Sequence, residues 1–473
     1  MTCPVYNISK NELEQQLPES CFEDEKNVDL ALRAFAAALS RDGTYTMNAM
    51  YMGLHLVLKS RSIQQPARLL RNIRRWALDG LADEGLSSFL QHLEGPALTP
   101  SSQSVAPTST KSSISVTAKQ ARCVLANALL SNINDTMAPF KDPWSRGGLD
   151  FRRMIGDPPT QKVGLSKVEC LLLYFKAGGV LEGTEDDERQ IIFERISFAP
   201  LQLDQMDQVT LLLNEEESCS KMTKRYVGEG IVLHNQTMES PTRPASAFVN
   251  FANSNFGYGH FISSCTQEEI LQMCCPEIMV GMLVVGQMLD NEVVNVRGVR
   301  RFTKYSGYLS SFLCEGQVEG LEDDTFVQSI LTIDACYSQH FSKTMIQRDV
   351  SKAFYSFREH RQTSSAKYPV ISTGKWGCGA FGGLTAHKMI QQALAATLSN
   401  VDLEFSCFGD VEGCDEIIAA MHAHRPTATT VANLLSVCKD KRNFVEDAIA
   451  YLSSNSYQKI TEVEPSSPIS DVV

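Results

Sequence analysis

Apolar residues in the first part of the chain recur with helical spacing. In residues 26–93 they return every three or four positions, as on one face of an α-helix. This pattern predicts three helices, with apolar positions at Val28, Leu30, Leu32, Phe35, Ala38 and Leu39, at Met50, Leu54, Leu56 and Leu58, and at Leu69, Leu70, Ile73, Trp76 and Ala77. Residues 95–117 are rich in Ser, Thr and Pro, which predicts a loop without a core. Another helix is predicted after Thr117, and residues 1–165 are therefore predicted to form a helical accessory region.

The pattern changes near residue 166, where short apolar runs begin. Runs of this length predict buried strands, and they occupy 168–175, 190–193, 209–213, 247–252, 293–296, 327–334 and 401–408. Helical segments separate many of them, at 267–288, 343–357, 384–398 and 431–452. Buried strands that alternate with helices indicate an α/β domain, which we place at 166–458. The tail at 459–473 is predicted to be disordered.

Composition and charge exclude several classes of protein. The chain has 473 residues, of which 43% are hydrophobic and 21% charged, as in ordinary globular proteins. A net charge of −12 argues against a broad basic face for nucleic acid. The 14 cysteines include no CxxC pair and the chain starts without an apolar signal segment, so we expect free thiols in a reducing compartment. The run 278–289 is shorter than the roughly 20 residues that cross a bilayer, so no membrane partner is expected.

Three polar residues, Gln267, Glu268 and Glu269, open an apolar helical run. Thr266 lies three residues before Glu269, which is the spacing of a helix capping box. A helix N-terminus also attracts anions, so a cap and a ligand site are compatible at this place. Neighbouring helix residues point about 100° apart, so at most one of the two carboxyl groups lies at a reacting bond. The helix dipole lowers the pKa of a carboxyl group here, whereas a general acid needs its pKa raised by burial or a nearby phosphate.

Two glycines, Gly257 and Gly259, flank Tyr258 directly after the apolar run 249–253. One interpretation is a turn at the end of a strand, where glycine supplies a positive φ. The other is a loop in which the backbone comes close to a ligand. The local sequence leaves both open.

A second glycine-rich loop reads TGKWGCGAFGG at 373–383, between an apolar run and a predicted helix. Gly377, Gly379 and Gly382 satisfy G-x-G-x-x-G, the pattern of loops that bind diphosphate at a helix N-terminus. A dinucleotide-dependent dehydrogenase also needs an acid about 20 residues later, at the end of the next strand. Asp402 begins its predicted strand and Asp410 comes late, so this interpretation is weak. Diphosphate binding is favoured, and a turn that serves packing alone is the alternative.

Two other motifs carry less information. Tyr308 ends the sequence YSGY, which is more often loop packing than a lid over a ligand. His422 and His424 have no third ligand nearby in the sequence, so we predict no metal and no other cofactor.

Together, these segments resemble the eukaryotic poly(ADP-ribose) glycohydrolase family. VNFAN lies at 249–253, and the glycine pair, a seven-residue spacer and QEE occupy 257–269. YSGY follows at 305–308, TGKWGCGAFGG at 373–383 and FGD at 408–410, in the order of the family. The resemblance covers about residues 118–415. It implies a macrodomain-like mixed sheet flanked by helices and preceded by an α-helical accessory domain.

The resemblance also implies a role for each matched residue. Glu269 would donate a proton to the leaving ribose oxygen and then activate water, while Glu268 and Asn253 would hold the adjacent ribose. Asn250 stands where the family has an acid, and it is included with Glu268 and Glu269 among the expected catalytic residues. The expected substrate-binding residues are Met238, Glu239, Asn253, Gly257, Gly259, Gln267, Tyr308, Lys375, Gly377, Cys378, Gly379, Ala380, Phe381 and Phe408.

Within this set, the resemblance assigns the two ends of an ADP-ribose unit. Phe408 would stack on the adenine and Glu239 would hydrogen-bond to its edge. The backbone of 377–381 would bind the diphosphate, and Tyr308 would close over the ligand.

The resemblance predicts hydrolysis of ribose–ribose O-glycosidic bonds in poly(ADP-ribose), which releases ADP-ribose. Three positions depart from the family: Tyr258 replaces a glycine, Asn250 an acid and Lys375 an asparagine. They motivate an alternative, a catalytically weak paralogue that binds ADP-ribose or its polymer as a reader. The expected partners are the polymer and ADP-ribosylated proteins, and we expect a monomer in the nucleus or cytoplasm.

Overall fold

The structure is a computed structural model of the chain. It describes residues 6–24, 27–60, 62–83, 86, 107–133, 149–156, 162–216, 225–257, 264–321, 323–409, 411 and 413–455, without the side chains of 214–216. Tyr258, Gly259, the predicted disordered tail at 459–473 and residues 95–106 lie outside this description. The chain divides into two compact units: a first unit of 1–97, 110–197 and 250–334, and a second unit of 98–109, 198–249 and 335–473.

The first unit begins with helices, as the apolar spacing predicts. They span Lys10–Gln16, Val28–Leu39, Met47–Leu58, Pro66–Ala82, Ala118–Leu129, Arg152–Gly156 and Lys162–Leu181. Ser9, Thr46 and Thr117 each accept a hydrogen bond from a backbone N–H in the first turn of the helix that follows. These caps satisfy N–H groups that have no partner within the helix. The three predicted helices are confirmed where the structure describes 26–93, and so is the helix after Thr117.

The prediction of a loop at 95–117 is wrong for its second half. Strand β1 spans Ser109–Thr117. Positions 112, 114 and 116 are partly or fully buried, whereas 111, 113 and 115 are exposed. This period of two belongs to a strand with one solvent-facing side. Its abundant polar residues, which suggested a loop, are compatible with that exposed side.

The other strands of the first unit are largely antiparallel. The order is β1-β2-β5-β8, and β5 (Glu292–Arg300) runs antiparallel to both β2 (Gln190–Phe198) and β8 (Val327–Asp334). A bulge between Val296 and Val299 shifts the register of β5 against β8. β6 (Thr303–Ser306) and β7 (Leu313–Gln317) form a separate antiparallel pair.

The second unit contains parallel strands in the order β4-β9-β10-β3, namely Ala247–Ala252, Val370–Gly374, Asp402–Ser406 and Ile231–His234, where β4 belongs to this unit through residue 249. β10 pairs in parallel with both β9 and β3. The α-helices of this unit are Met206–Glu216, Lys343–Thr363, Thr385–Ser399, Cys414–His424, Ala428–Val437 and Phe444–Ser454. The predicted α/β class, with mixed strand directions and a helical N-terminal region, is confirmed. Ligands of such parallel strands bind beyond their carboxyl ends.

Two predicted strands are helical. Residues 168–175 lie in the helix Lys162–Leu181, and 209–213 lie in the helix Met206–Glu216. The first of these helices is buried along most of its length. It therefore lacks the regular polar positions that reveal a helical period, and an apolar run of this kind resembles a buried strand. The predicted boundary near residue 166 falls inside this helix.

Two predicted helices are interrupted. The α-helix Gln267–Cys274 ends before Pro276, because the residue before a proline avoids the α-helical backbone, and Cys275 has φ −128° and ψ 67°. A 3-10 helix, Pro276–Leu283, follows. The run 431–452 forms the two helices Ala428–Val437 and Phe444–Ser454, which the charged residues 439–442 separate.

His387 makes the stability of the second unit dependent on pH. Its ring is fully buried, stacked on Phe341 at 4.3 Å and edge-on to Phe444 at 5.1 Å. Burial, followed by the positive charge of Lys388, lowers the pKa of His387 to about 3. The unfolded chain therefore takes up a proton below about pH 6.5 that the folded protein does not, and stability is lost as pH falls through this window.

When pH falls from 7 to about 4.5, we expect the free energy of unfolding of wild type to decrease by roughly 2–3 kcal/mol more than that of His387→Phe. The reason is that phenylalanine keeps the ring packing and takes up no proton. Urea unfolding at the two pH values measures the difference. His422→Phe, at an exposed histidine, is the matched control and should follow wild type. Equal losses in His387→Phe and wild type would contradict the expectation.

Candidate active site

The end of β4 is joined to the start of the helix Gln267–Cys274 by side chains of that helix. Gln267 accepts a hydrogen bond from the backbone N–H of Phe251 at 2.7 Å. Glu268 Oε2 accepts one from the backbone N–H of Asn253 at 3.2 Å. Two segments that the sequence separates by about fifteen residues thus meet at one helix N-terminus.

Glu269 forms the predicted capping box. Its Oε2 accepts from the backbone N–H of Thr266 at 2.6 Å and from the Thr266 hydroxyl. The side chain is 3% exposed. The capping box therefore fixes the orientation of the Glu269 carboxyl group at the first turn of the helix.

Glu268 is the carboxyl group that burial perturbs most clearly in this cluster. It is 4% exposed, and its Oε1 has no partner within hydrogen-bonding geometry among the described residues. Burial, followed by the adjacent Glu269 carboxylate, raises the pKa of Glu268 well above its ordinary range, although the amides of Asn253 and Asn250 oppose this. The helix dipole lowers the pKa of a carboxyl group at this position and burial raises it. At Glu268 the effect of burial is the larger.

Asn250 lies on β4, beneath the same cluster. It is 1% exposed, and its Nδ2 donates to Thr332 Oγ1 at 3.4 Å. Its Oδ1 has no partner among the residues that the structure describes. A carboxylate at this position would add another negative charge beside Glu268, and the amide avoids that charge.

Lys167 is a buried charge that the sequence reading missed. It is fully buried on the helix Lys162–Leu181, and its Nζ donates to the carbonyl of Ser264 at 2.6 Å. Burial lowers the pKa of Lys167, while Cys265 and Glu269 oppose this shift. The ammonium group therefore anchors the segment that leads into the capping box. The signal in the sequence was a lysine within a long apolar run.

Gly257 is a turn that requires glycine. Its φ is +79°, and a Cβ at this position would lie 2.6 Å from Met282 Cγ. The predicted use of positive φ is confirmed at Gly257. Tyr258 and Gly259, the rest of the motif, lie beyond the described part of this loop.

Tyr308 belongs to a loop that is bonded to the segment before the active-site helix. Its neighbour Leu309 exchanges two backbone hydrogen bonds with Cys265, at 2.8 and 3.2 Å, and Cys265 immediately precedes the cap residue Thr266. The Tyr308 side chain is 37% exposed. The loop is therefore placed beside the helix N-terminus, with a ring that is accessible to a ligand.

The glycine-rich loop lies in the second unit, between β9 and the helix Thr385–Ser399. Among the described residues, the backbone N–H groups of Gly377, Gly379, Ala380 and Phe381 have no hydrogen-bond acceptor. The first residue of the helix follows within four positions, and its cap residue Leu384 supplies no side-chain hydrogen bond. Such a set of N–H groups at a helix N-terminus binds anions.

Turns hold this loop in shape. Cys378 N donates to Lys375 O at 3.1 Å, and Gly383 N donates to Gly377 O at 3.0 Å. Gly377 has φ +72°, and a Cβ there would approach the Cβ of Ala335 to 2.5 Å. The glycine pattern thus has a packing role, and it also leaves the N–H groups accessible.

Phe408 and the pair Met238–Glu239 follow the neighbouring strands β10 and β3. Ser406 Oγ donates to Gln236 O at 2.5 Å, which ties the two chain segments together. Phe408 is 48% exposed and has φ +33°, an unusual backbone for a bulky residue. Met238 and Glu239 are both 5% exposed. The exposed Phe408 ring can stack on a flat ligand.

Asp402 does not support the dehydrogenase interpretation. It forms ion pairs with Arg225 at 2.7 Å and Arg243 at 3.1 Å, so its carboxylate is already engaged. Asp410 lies outside the described residues. Within the described ranges, no group of three His, Cys, Asp or Glu side chains could hold a metal ion, and no helix is long and apolar enough to cross a membrane.

The predicted site residues fall into two groups. In the first unit, the structure brings Gln267, Glu268 and Glu269 together with Asn250, Asn253 and, through backbone pairing, the loop of Tyr308. In the second unit, the backbone N–H groups of Gly377, Gly379, Ala380 and Phe381 lie in one loop. Separately, the segments that carry Met238, Glu239 and Phe408 are tied together through Ser406 and Gln236.

Comparison with known proteins agrees with these motifs. The family model of the catalytic domain of poly(ADP-ribose) glycohydrolase, of macro domain fold, matches residues 217–415. Poly(ADP-ribose) glycohydrolases 1 and 2 of Caenorhabditis elegans are 30% identical over 245 residues and 31% over 192, which covers 46% and 36% of this chain. Poly(ADP-ribose) glycohydrolase 1 of Arabidopsis thaliana is 25% identical over 279 residues, which covers 43% of this chain.

The matches cover 31%, 39% and 51% of these three relatives, so the chain spans about a third to a half of their lengths. The macrodomain-like fold that the sequence predicted is confirmed by the family model. Residues 217–415 of this chain are thus similar to the catalytic domain of poly(ADP-ribose) glycohydrolases.

Proposed function

We propose that this protein hydrolyses the ribose–ribose O-glycosidic bonds of poly(ADP-ribose) and releases ADP-ribose. The observation that carries the proposal is the pair of buried carboxyl groups, Glu268 and Glu269, at the start of one helix. The raised pKa of Glu268 supports the proposal, because it indicates that the site can keep one of its two carboxyl groups protonated. Glycosidases need such an environment to protonate a leaving oxygen.

In the proposed reaction, Glu269 donates a proton to the leaving ribose oxygen as the bond from that oxygen to the anomeric carbon breaks. A bound polyanion excludes water and adds negative charge, and both effects favour a protonated carboxyl group. An oxocarbenium-like transition state forms. The Glu269 carboxylate then takes a proton from water, and the water oxygen forms the new bond to the anomeric carbon. Glu268 and Asn253 hold the ribose next to the bond.

Three other parts of the chain carry groups that suit the remaining chemistry of ADP-ribose. The N–H groups of the loop 377–381 suit a diphosphate, and the Lys375 side chain adds a positive charge. The exposed Phe408 ring suits stacking on adenine, and the buried Glu239 suits a hydrogen bond to its edge. These roles are the ones that the family resemblance implies, and the surroundings of each residue are compatible with its role.

The proposal predicts that wild-type protein releases ADP-ribose from purified poly(ADP-ribose), with chromatography as the readout. The proposed acid/base mechanism uses only protons and water, so a metal chelator should leave the rate unchanged. Calorimetry should show that the same preparation binds ADP-ribose. Binding of the polymer without release of ADP-ribose would contradict hydrolysis and indicate a reader instead.

We further propose that the substrate chains are attached to ADP-ribosylated proteins and that the protein acts as a monomer in the nucleus or cytoplasm, within the DNA damage response. The support for this setting is the substrate class that the relatives' name states. The charge of −12 supports the expectation of no direct contact with nucleic acid. Light scattering should give a mass near 52.4 kDa, and microscopy of a tagged chain checks the compartment.

A further inference from the structure

A buried polar cluster lies behind the glycine-rich loop in the second unit. It consists of Cys336, His340, Asp349 and Lys388. Cys336 is 3% exposed, and Asp349 and Lys388 are fully buried. Cys336 Sγ lies 3.2 Å from His340 Nδ1, and Lys388 Nζ donates to the same sulfur at 3.5 Å. The backbone N–H of Cys336 donates to Asp349 at 3.1 Å.

Charges in the cluster are balanced, which leaves the cysteine neutral. Burial tends to raise the pKa of Asp349, but the positive charges of Lys388 and then Arg348 outweigh it and lower this pKa. Lys388 also forms an ion pair with Asp349. Burial, followed by the Asp349 carboxylate, raises the pKa of Cys336 to about 12. Cys336 is therefore a thiol with one proton to donate at neutral pH.

The donors and acceptors then fix one tautomer of His340. Burial lowers the pKa of His340, so the ring is neutral. The Phe381 carbonyl oxygen can only accept, so the ring proton sits on Nε2, which donates to this oxygen at 2.7 Å. Nδ1 is then the acceptor that faces Cys336 Sγ at 3.2 Å.

The cluster also holds the other end of the loop. The Lys388 ammonium lies 5.2 Å from the centre of the Trp376 ring, over its face. Trp376 directly precedes Gly377, and Phe381 is the last residue of the run 377–381. Both ends of the run 377–381 are thus attached to one buried network.

We propose that His340 is a positioning residue for diphosphate binding: it holds the Phe381 carbonyl and so keeps the N–H groups of 377–381 arranged for the ligand. This inference rests on the proposed function of the same loop. Donors that are already arranged lose less conformational entropy when a ligand binds. Without this hydrogen bond the loop samples other arrangements, and affinity for the diphosphate falls.

His340→Leu and His340→Gln form the test pair, because glutamine can place an N–H near the Nε2 position and leucine cannot. We expect His340→Leu to weaken ADP-ribose binding about tenfold and to raise KM with little change in kcat. His340→Gln should stay within about threefold of wild type. His422→Leu, at an exposed histidine, is the control and should match wild type in calorimetry and melting temperature.

Cys336→Ser and Cys336→Ala form a second pair, in case His340→Leu does not fold. Serine keeps an O–H that can donate to His340 Nδ1, whereas alanine leaves Nδ1 without this partner. Alanine should weaken ADP-ribose binding and serine should largely restore it. Wild-type affinity in His340→Leu or in Cys336→Ala overturns the inference, and so does failure of His340→Gln to rescue in a folded protein. If wild type itself binds no ADP-ribose, the proposed function fails instead.

Discussion

Replacing Glu269 with glutamine is expected to lower the release of ADP-ribose from poly(ADP-ribose) about a thousandfold while ADP-ribose still binds. Glutamine cannot donate the proton to the leaving oxygen or accept one from water, and loss of a general acid or base costs about 10²–10⁴ in rate. The fold should persist, because glutamine also serves in a capping box. Initial rates on purified polymer, with calorimetry on ADP-ribose, measure the two effects.

The chain contains a matched control for this substitution. Glu12 forms the same capping box with Ser9, at 2.7 Å from the Ser9 N–H, on an exposed helix remote in sequence from the active-site motifs. Glu12→Gln should leave turnover at the wild-type rate. Turnover in Glu269→Gln close to wild type would remove Glu269 from the mechanism. Binding by both wild type and Glu269→Gln, with turnover by neither, would support the reader alternative.

Replacing Glu268 with glutamine is expected to lower turnover about a hundredfold and to change the dependence of stability on pH. The rate falls because Glu268 positions the ribose beside the bond that breaks. The stability effect follows from its pKa, which is raised above 4.5 in the folded protein. Neutral Glu268 makes its full contribution to the free energy of unfolding below about pH 4.5. This contribution is lost as pH rises through the pKa that Glu268 has in the folded protein.

Glutamine does not ionise, so Glu268→Gln should lose less stability than wild type when pH rises from about 5 to about 8.5. Urea unfolding at these values measures the difference, and far-ultraviolet circular dichroism confirms that both proteins are folded. Glu14→Gln, at an exposed glutamate on the helix Lys10–Gln16, is the control and should follow wild type. The same pH dependence in Glu268→Gln and wild type would show that Glu268 is ionised in the folded protein, contrary to its burial.

Local features of the site were predictable because they depend on residues close in sequence. The capping box of Thr266 and Glu269 follows from spacing and residue type, and the positive φ of Gly257 was one of two interpretations that its residue type allowed. The strands 247–252 and 327–334 matched their apolar runs for the same reason. The position of the glycine-rich loop 377–381 before a helix also followed, since this is a local arrangement.

Features that depend on burial were not predictable. The run 168–175 looked like a strand because a helix buried along most of its length shows no polar stripe. The strand Ser109–Thr117 looked like a loop because composition does not reveal that one of its sides is covered. Lys167 stood out only as a lysine within an apolar run, and its partner, like that of His340, could not be predicted, since Ser264 and Phe381 are far away in sequence.

The sequence by itself determined the α/β class, the helix cap that carries two carboxyl groups, and a glycine loop suited to a diphosphate. Only the tertiary structure decided that Glu268 is a carboxyl group with a raised pKa, and which tautomer His340 adopts behind the loop. The physical reason is the same in both cases. A cap or a turn is set by bonds between neighbours, whereas a protonation state is set by solvent exclusion and by charges that folding brings together.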